Sequence, residues 1–206
     1  MKIEKFVTGI ISTNCYLVIN EETKQTVVID PAACPSYLMG HIKSEGLQVE
    51  AILLTHGHFD HIMGIGDLRK EFPVPVYAHE GDRETLLDPS LNLSISYTDG
   101  YTFDGATYVW DGQTLELAGA SFQVIHTPGH TPGGVCYYLE NEKVLFSGDT
   151  LFQNSVGRTD FPNSSMSDLI RSLREKVMAL PDDVKVYPGH MGETTIGHER
   201  KHNPFI

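Results

Sequence analysis

The sequence predicts an α/β fold (α+β by the grouping of its strands) in which two β-rich halves, each carrying helices, pack sheet against sheet. Three observations carry this prediction. Strand-type runs recur through the first half, end at Ala78, and start again at Thr114. Helical apolar spacing occurs in both halves. No low-complexity segment or linker parts them, so residues 1–206 are expected to form one domain.

In chain order, Lys2 to Val7, Asn14 to Ile19 and Thr26 to Asp30 alternate or cluster apolar residues as the strands of a meander. Pro35 to Glu45 is expected to be a helix laid on that sheet, and Val49 to Leu54 a buried strand. From Asp60 onward, Met63, Ile65 and Leu68 fall at helical spacing, and Val74 to Ala78 is a further short strand. Residues 87–113 are rich in Ser, Thr, Asp, Gly and Tyr and include Trp110, the lone tryptophan. A stretch this irregular forms either a binding loop or lid, or a surface connection packed by its own aromatics. In the second half, strands are expected at Thr114 to Leu117, Ser121 to His126, Val135 to Leu139, Lys143 to Phe146 and Val184 to Tyr187. Met166, Leu169, Ile170, Leu173 and Val177 mark a helix within Asn163 to Leu180, with Ser164 or Ser165 as its cap. Thr194 to His202 reads as a terminal helix.

With 40% hydrophobic and 20% charged residues, the chain is globular rather than disordered. Its net charge of −12, with 15 basic residues that form no run, argues against nucleic acid as a partner. No apolar segment approaches the roughly 20 residues that span a bilayer, and the N-terminus lacks a signal-type stretch, so no membrane role is expected. Cys15, Cys34 and Cys136 are odd in number and widely spaced, which suggests reduced thiols and a cytoplasmic protein. Cys136, within an apolar strand, reads as core.

The chemistry sits at strand ends. After the apolar run Ala51-Ile52-Leu53-Leu54 comes Thr55-His56-Gly57-His58-Phe59-Asp60-His61. In an extended segment residues two apart point the same way, so His56 and His58 can clamp one cation. The turn into a helix redirects Asp60 and His61 to an adjacent position. His130 is held in the fixed loop Thr127-Pro128-Gly129-His130-Thr131-Pro132-Gly133-Gly134, and offers a third nitrogen. His126 fits a structural role better than ligation. Asp149, in Gly148-Asp149-Thr150, has two carboxylate oxygens and can bridge two metals. His190 ends the strand that leads into Tyr187-Pro188-Gly189.

The order His56-x-His58-x-Asp60-His61, then His130, Asp149 and His190, resembles the metallo-β-lactamase superfamily over almost the whole chain. The resemblance implies a four-layer αβ/βα sandwich with its site along one edge of the sheets. It places one metal on His56, His58 and His130 and a second on Asp60, His61 and His190, with Asp149 and a water or hydroxide bridging them. Two divalent ions are implied; zinc is expected, and His/Asp donors accept iron and manganese as well. His58 departs from the Glu of flavodiiron proteins, and Asp149 from the Cys of the best-known lactamases.

Within the superfamily, Gly148-Asp149-Thr150-Leu151-Phe152 and Val156-Gly157-Arg158-Thr159-Asp160-Phe161 resemble glyoxalase II-like proteins. Gly192-Glu193-Thr194-Thr195 through Asn203-Pro204-Phe205 is similar to their short bacterial subgroup. This implies a thioesterase that cleaves S-lactoylglutathione or a related small-molecule acyl thioester, with Asp60 and Asp149 catalytic and Arg158 binding substrate. The chain departs from the larger enzymes in having Asp160 where they have Tyr, and no C-terminal glutathione-binding helical domain is expected. Arg158 either holds the thiol part of the substrate or pairs with Asp160. Gly157-Arg158-Thr159-Asp160-Phe161 is also shared with mononuclear iron persulfide dioxygenases, which is the alternative reading; a non-catalytic metal-binding protein is a third.

Overall fold

The computed structural model describes residues 1–206. The first half supplies β1 (Lys2–Thr8), β2 (Thr13–Ile19), β3 (Gln25–Ile29), α1 (Ser36–Ser44), β4 (Gln48–Leu53), α2 (Phe59–Ile62), α3 (Ile65–Glu71), β5 (Val76–His79), α4 (Arg83–Leu87) and β6 (Thr107–Val109). The second supplies β7 (Thr114–Leu117), β8 (Ala120–His126), β9 (Val135–Leu139), β10 (Val144–Gly148), β11 (Leu151–Phe152), β12 (Ser155–Val156), α5 (Met166–Glu175), β13 (Lys185–Pro188), β14 (Thr194–Thr195) and α6 (Ile196–His202).

Two six-stranded sheets result, ordered β1-β2-β3-β4-β5-β6 and β14-β13-β10-β9-β8-β7. The meander β1-β2-β3 is antiparallel, while β3, β4, β5 and β6 run parallel. In the second sheet β10 and β13 are parallel, and β7, β8, β9 and β10 alternate in direction. β3, β4 and β5 therefore end at one edge of their sheet, and β8, β10 and β13 at one edge of theirs.

Three hydrophobic clusters fill the three interfaces of a four-layer sandwich. Leu17, Ile19 and Ile52 pack against Leu38, Ile42, Ile65 and Leu68 of the first-half helices. Tyr16, Val18 and Leu53 meet Phe122, Tyr137 and Phe146 between the sheets. Cys136, Tyr138 and Leu145 pack against Leu169 and Leu173 of α5 and Ile196 of α6. Each central strand splits its residues by the period of two, and that is why β2 and β9 read as continuous apolar runs. At the edge where the strands end, backbone bonds tie sheet to sheet: Val135 N–H donates to Thr55 O (2.8 Å) and Asn14 N–H to Gly189 O (2.7 Å).

The structure alters several expected boundaries. The helical stretch after Asp60 is broken between α2 and α3, where Gly64 N–H bonds to Pro31 O at 2.7 Å. A side chain at Gly64 would press on that same carbonyl, so the backbone packs where a helix would carry a Cβ. The helix in 163–180 narrows to α5, capped by Ser165 Oγ accepting from Asp168 N–H, and continues only as a 3₁₀ turn. Within 87–113 lies β6, and Thr194–Thr195 is a strand before α6 rather than its first turn. The chain holds no helix long and apolar enough to cross a membrane.

Candidate metal centre

The edge where β4, β8, β10 and β13 end collects all seven expected ligands. Donor atoms of His56, His58 and His130 lie within 4.8 Å of one another, as do those of Asp60, His61 and His190, and a third grouping joins His56, His61 and Asp149. Asp149 thus stands between the other two. Its Oδ1 is 3.5 Å from His61 Nε2, and its Oδ2 is 3.6 Å from both His130 Nε2 and His190 Nε2.

Glycines allow this approach. Gly148 has φ +49°, and a Cβ there would strike Thr55 Oγ1. A Cβ on Gly189 would strike Asp149 Oδ1 and His61.

Three of the five rings are turned by a partner that leaves a nitrogen facing the centre. His61 Nδ1 donates to Asp30 Oδ2 at 2.9 Å, and His130 Nδ1 to the carbonyl of Arg158 at 2.7 Å. His56 Nδ1 lies 3.1 Å from Thr55 Oγ1. Asp60 Oδ2 accepts from Thr13 Oγ1 at 3.0 Å and lies 3.1 Å from His190 Nε2.

These residues fit a pair of cations. His56 Nε2, His61 Nε2 and Asp149 Oδ1 are buried polar atoms with no hydrogen-bond partner, which is costly unless something binds them. Burial, together with neighbouring imidazoles, holds His56 well below the ordinary histidine value. Burial and the facing His130 take His58 to about 3. Both rings are therefore neutral and have a lone pair to offer a cation. Around the other group burial opposes charge, but Asp60, Asp30 and Asp149 outweigh it and raise His61 well above its usual range. Asp60 and Asp149 are lowered in turn, against burial, chiefly by His61. This carboxylate-rich side calls for positive charge. One all-nitrogen group and one mixed group, with a carboxylate between, form a dinuclear donor set, and imidazole with carboxylate suits zinc, iron and manganese alike.

Two carboxylates that the sequence reading did not single out organise the centre. Asp30, buried at the end of β3, also accepts from Thr55 N–H (2.8 Å) and Thr55 Oγ1 (2.6 Å), and so fixes the start of the ligand loop as well as His61. Asp82, also buried, accepts from Gly57 N–H (2.7 Å), Gly133 N–H (2.7 Å) and Thr131 Oγ1 (2.9 Å). It thereby joins the loop of His56 and His58 to that of His130. Asp30 carries a legible signal, an acid closing the apolar strand Val27-Val28-Ile29. Asp82 carries none. His126 lies outside all the donor groups: it stacks on His79 at 3.8 Å, with Nε2 2.9 Å from Pro132 O. Arg158 lies at the cleft mouth, two-thirds exposed, and pairs with both oxygens of Asp160 (2.9 and 2.7 Å).

The cleft above the donors encloses about 340 Å³. Leu93 and Tyr97 line it, so the 87–113 stretch supplies one of its walls. Tyr97 stacks on Phe59 at 4.5 Å.

The family model described as the Metallo-beta-lactamase superfamily matches residues 8–190. Hydroxyacylglutathione hydrolase GloC of Haemophilus influenzae is 36% identical over 210 residues, spanning 100% of this chain and 98% of its own length. The B3 metallo-beta-lactamase BLEG-1 superposes with a TM-score of 0.93 at 42% identity, covering 99% of each chain. TTHA1623 in a di-iron-bound form gives 0.87 at 35%, covering 98% of this chain and 100% of that one. Matched at this breadth in sequence and in fold, the chain belongs to the metallo-β-lactamase superfamily and is one of its metal-dependent hydrolases.

Proposed function

We propose that this chain is a two-metal thioester hydrolase of glyoxalase II type, acting on S-lactoylglutathione or a related acyl thioester. The observation that carries the reading is the convergence of six donors into two groups with a seventh, Asp149, between them. The name of the GloC relative supports thioester chemistry, and the di-iron form of TTHA1623 supports double occupancy. The alternative, a single-iron persulfide dioxygenase, would use only two His and one Asp of the same donor set, and metal content with oxygen uptake separates the two.

His56, His58 and His130 would hold one ion and Asp60, His61 and His190 the other, with Asp149 shared. Bound divalent ions lower the pKa of coordinated water toward about 7 and polarise the carbonyl under attack. The residues supply position. Asp60 makes its contacts with Thr13, His190 and His61 through Oδ2, so Oδ1 is the atom we assign to orient the attacking water. Asp30 and the Arg158 carbonyl keep His61 and His130 in the tautomers that point Nε2 at the centre. Phe161 and Tyr97 supply apolar surface to the cleft beside the donors. Arg158 would exchange part of its pairing with Asp160 for a substrate carboxylate.

Metal quantification on the purified protein, followed by a thioester panel that includes S-lactoylglutathione, tests this. Two ions per chain with release of thiol is the expected result. One iron with persulfide-dependent oxygen uptake would contradict it. So would turnover of a β-lactam, the chemistry named for BLEG-1, well above that of every thioester.

A further inference from the structure

The cleft walls bear on what the substrate looks like on either side of its reacting bond. Seven of the thirteen residues that line the cleft are hydrophobic, and they flank the donors on both sides. Phe161 lies edge-on to His58 and His130, at 5.4 and 5.8 Å, with Leu93 and Tyr97 lining the cleft as well. Phe152 lies 6.3 Å from His190, and Met191 is the next residue. Tyr97 and Met191 remain more than half exposed and leave apolar surface in the cleft wall that a ligand can cover.

Two of these side chains are held at a backbone cost. Leu93 has φ +69° and Met191 φ +66°, the left-handed region that favours Gly or Asn. Neighbouring bonds impose both conformations. Asn92, fully buried, donates to Tyr101 O (2.8 Å) and accepts from Ser94 N–H (2.9 Å). Asn14 Nδ2 donates to Met191 O at 3.1 Å. A branched or long apolar residue kept in a strained position at a site points to a use for that side chain.

Charge gives the complementary limit. Arg158 is the one Lys or Arg lining the cleft. Its guanidinium is already engaged by Asp160 and lies 4.3 Å from the centre of the Phe161 ring. One anionic group on the substrate can find a cation there. Apart from the two ions themselves, a second carboxylate, or the phosphates of a nucleotide thiol, finds no further Lys or Arg along the cleft.

We infer that the preferred substrate is an acyl thioester apolar on both sides of the scissile bond, with a thiol part bearing at most one carboxylate. This rests on the thioester reading above and narrows it: glutathione conjugates would be accepted but not preferred. The reaction balances as hydrolysis. Water adds its oxygen to the acyl carbon, the C–S bond breaks, and a water proton ends on the departing sulfur.

The test uses the enzyme loaded with two metals and a matched series: acetyl, butyryl and hexanoyl thioesters of N-acetylcysteamine, beside S-lactoylglutathione and hexanoyl-coenzyme A. The expected result is kcat/KM rising about threefold or more for each added methylene until the wall is covered, with the hexanoyl N-acetylcysteamine ester ahead of both anionic thioesters. Leu93→Gly should reduce the hexanoyl-to-acetyl ratio at least fivefold while the melting temperature holds or rises, because glycine relieves the left-handed φ. Tyr97→Ala should flatten the same ratio. A flat acyl profile, or S-lactoylglutathione as the best substrate, would overturn this inference and leave the thioester reading standing. No cleavage of any thioester by the two-metal enzyme would overturn both.

Discussion

Replacing Asp82 by Asn tests how the centre is held together without touching a ligand. The carboxylate serves three strong donors, two on Oδ2 (Gly57 N–H and Thr131 Oγ1) and one on Oδ1 (Gly133 N–H). An amide of the same shape keeps one acceptor oxygen. Whichever way it turns, its NH₂ faces a buried backbone N–H, Gly57 or Gly133, that then has no acceptor. Losing one charge-assisted bond and orphaning that donor costs about 2–4 kcal/mol. Burial pushes the Asp82 carboxyl above its ordinary range despite these donors, so removing the charge returns part of the cost. A net loss of about 2 kcal/mol is expected, lowering the melting temperature of a 206-residue chain by about 4–8 °C. Because Gly57 separates His56 from His58, and Thr131 and Gly133 follow His130, the ion held by those three histidines should bind roughly 10- to 100-fold more weakly. Differential scanning calorimetry and competition against a metal indicator read the two effects separately. An unchanged affinity at that ion, with or without a lower melting temperature, would refute the view that Asp82 sets the loop spacing.

Further outcomes follow from the same geometry. Asp149→Ala should reduce bound metal from two ions toward one and remove nearly all turnover, as checked by elemental analysis beside a thioester assay; retention of both would refute the bridging role. Burial, aided by the stacked His126, holds His79 at about 4 against 6.5 unfolded, and its Nδ1 accepts from Gly81 N–H. A depressed value means that the neutral ring stabilises the fold above about pH 6.5, and that this contribution drains away as pH falls through about 4. Melting curves over that window should show the loss, and His79→Gln should lessen it. Glu199, fully buried, accepts from Thr194 Oγ1, Asn154 N–H and Asn203 Nδ2 at 2.5, 2.8 and 2.9 Å, so Glu199→Ala should cost about 3 kcal/mol or more in denaturant unfolding. A change below 1 kcal/mol would show that this cluster does not anchor α6.

The strands that were legible in the sequence are those long enough to display a period or an unbroken apolar run, such as β2 and β9. β6, β11, β12 and β14 have two or three residues each and leave no periodic trace. The break at Gly64 depends on Pro31 O, more than thirty residues away in sequence, and no local pattern reports it. The ligands were legible for a different reason: side chains with metal affinity sit where apolar strands stop, and a core has no use for them there. Asp82 was hidden because its role lies in hydrogen bonds to residues 25 to 51 positions distant. The left-handed backbone at Leu93 and Met191 was hidden as well, since local propensity argues against it and tertiary bonds impose it.

Anomalous diffraction from crystals of the metal-loaded protein tests the central claim most directly. The account predicts two peaks, roughly 3.5–4 Å apart, one among His56, His58 and His130 and one among Asp60, His61 and His190, with Asp149 touching both. A single peak at full loading, or a second one away from Asp149, would contradict it.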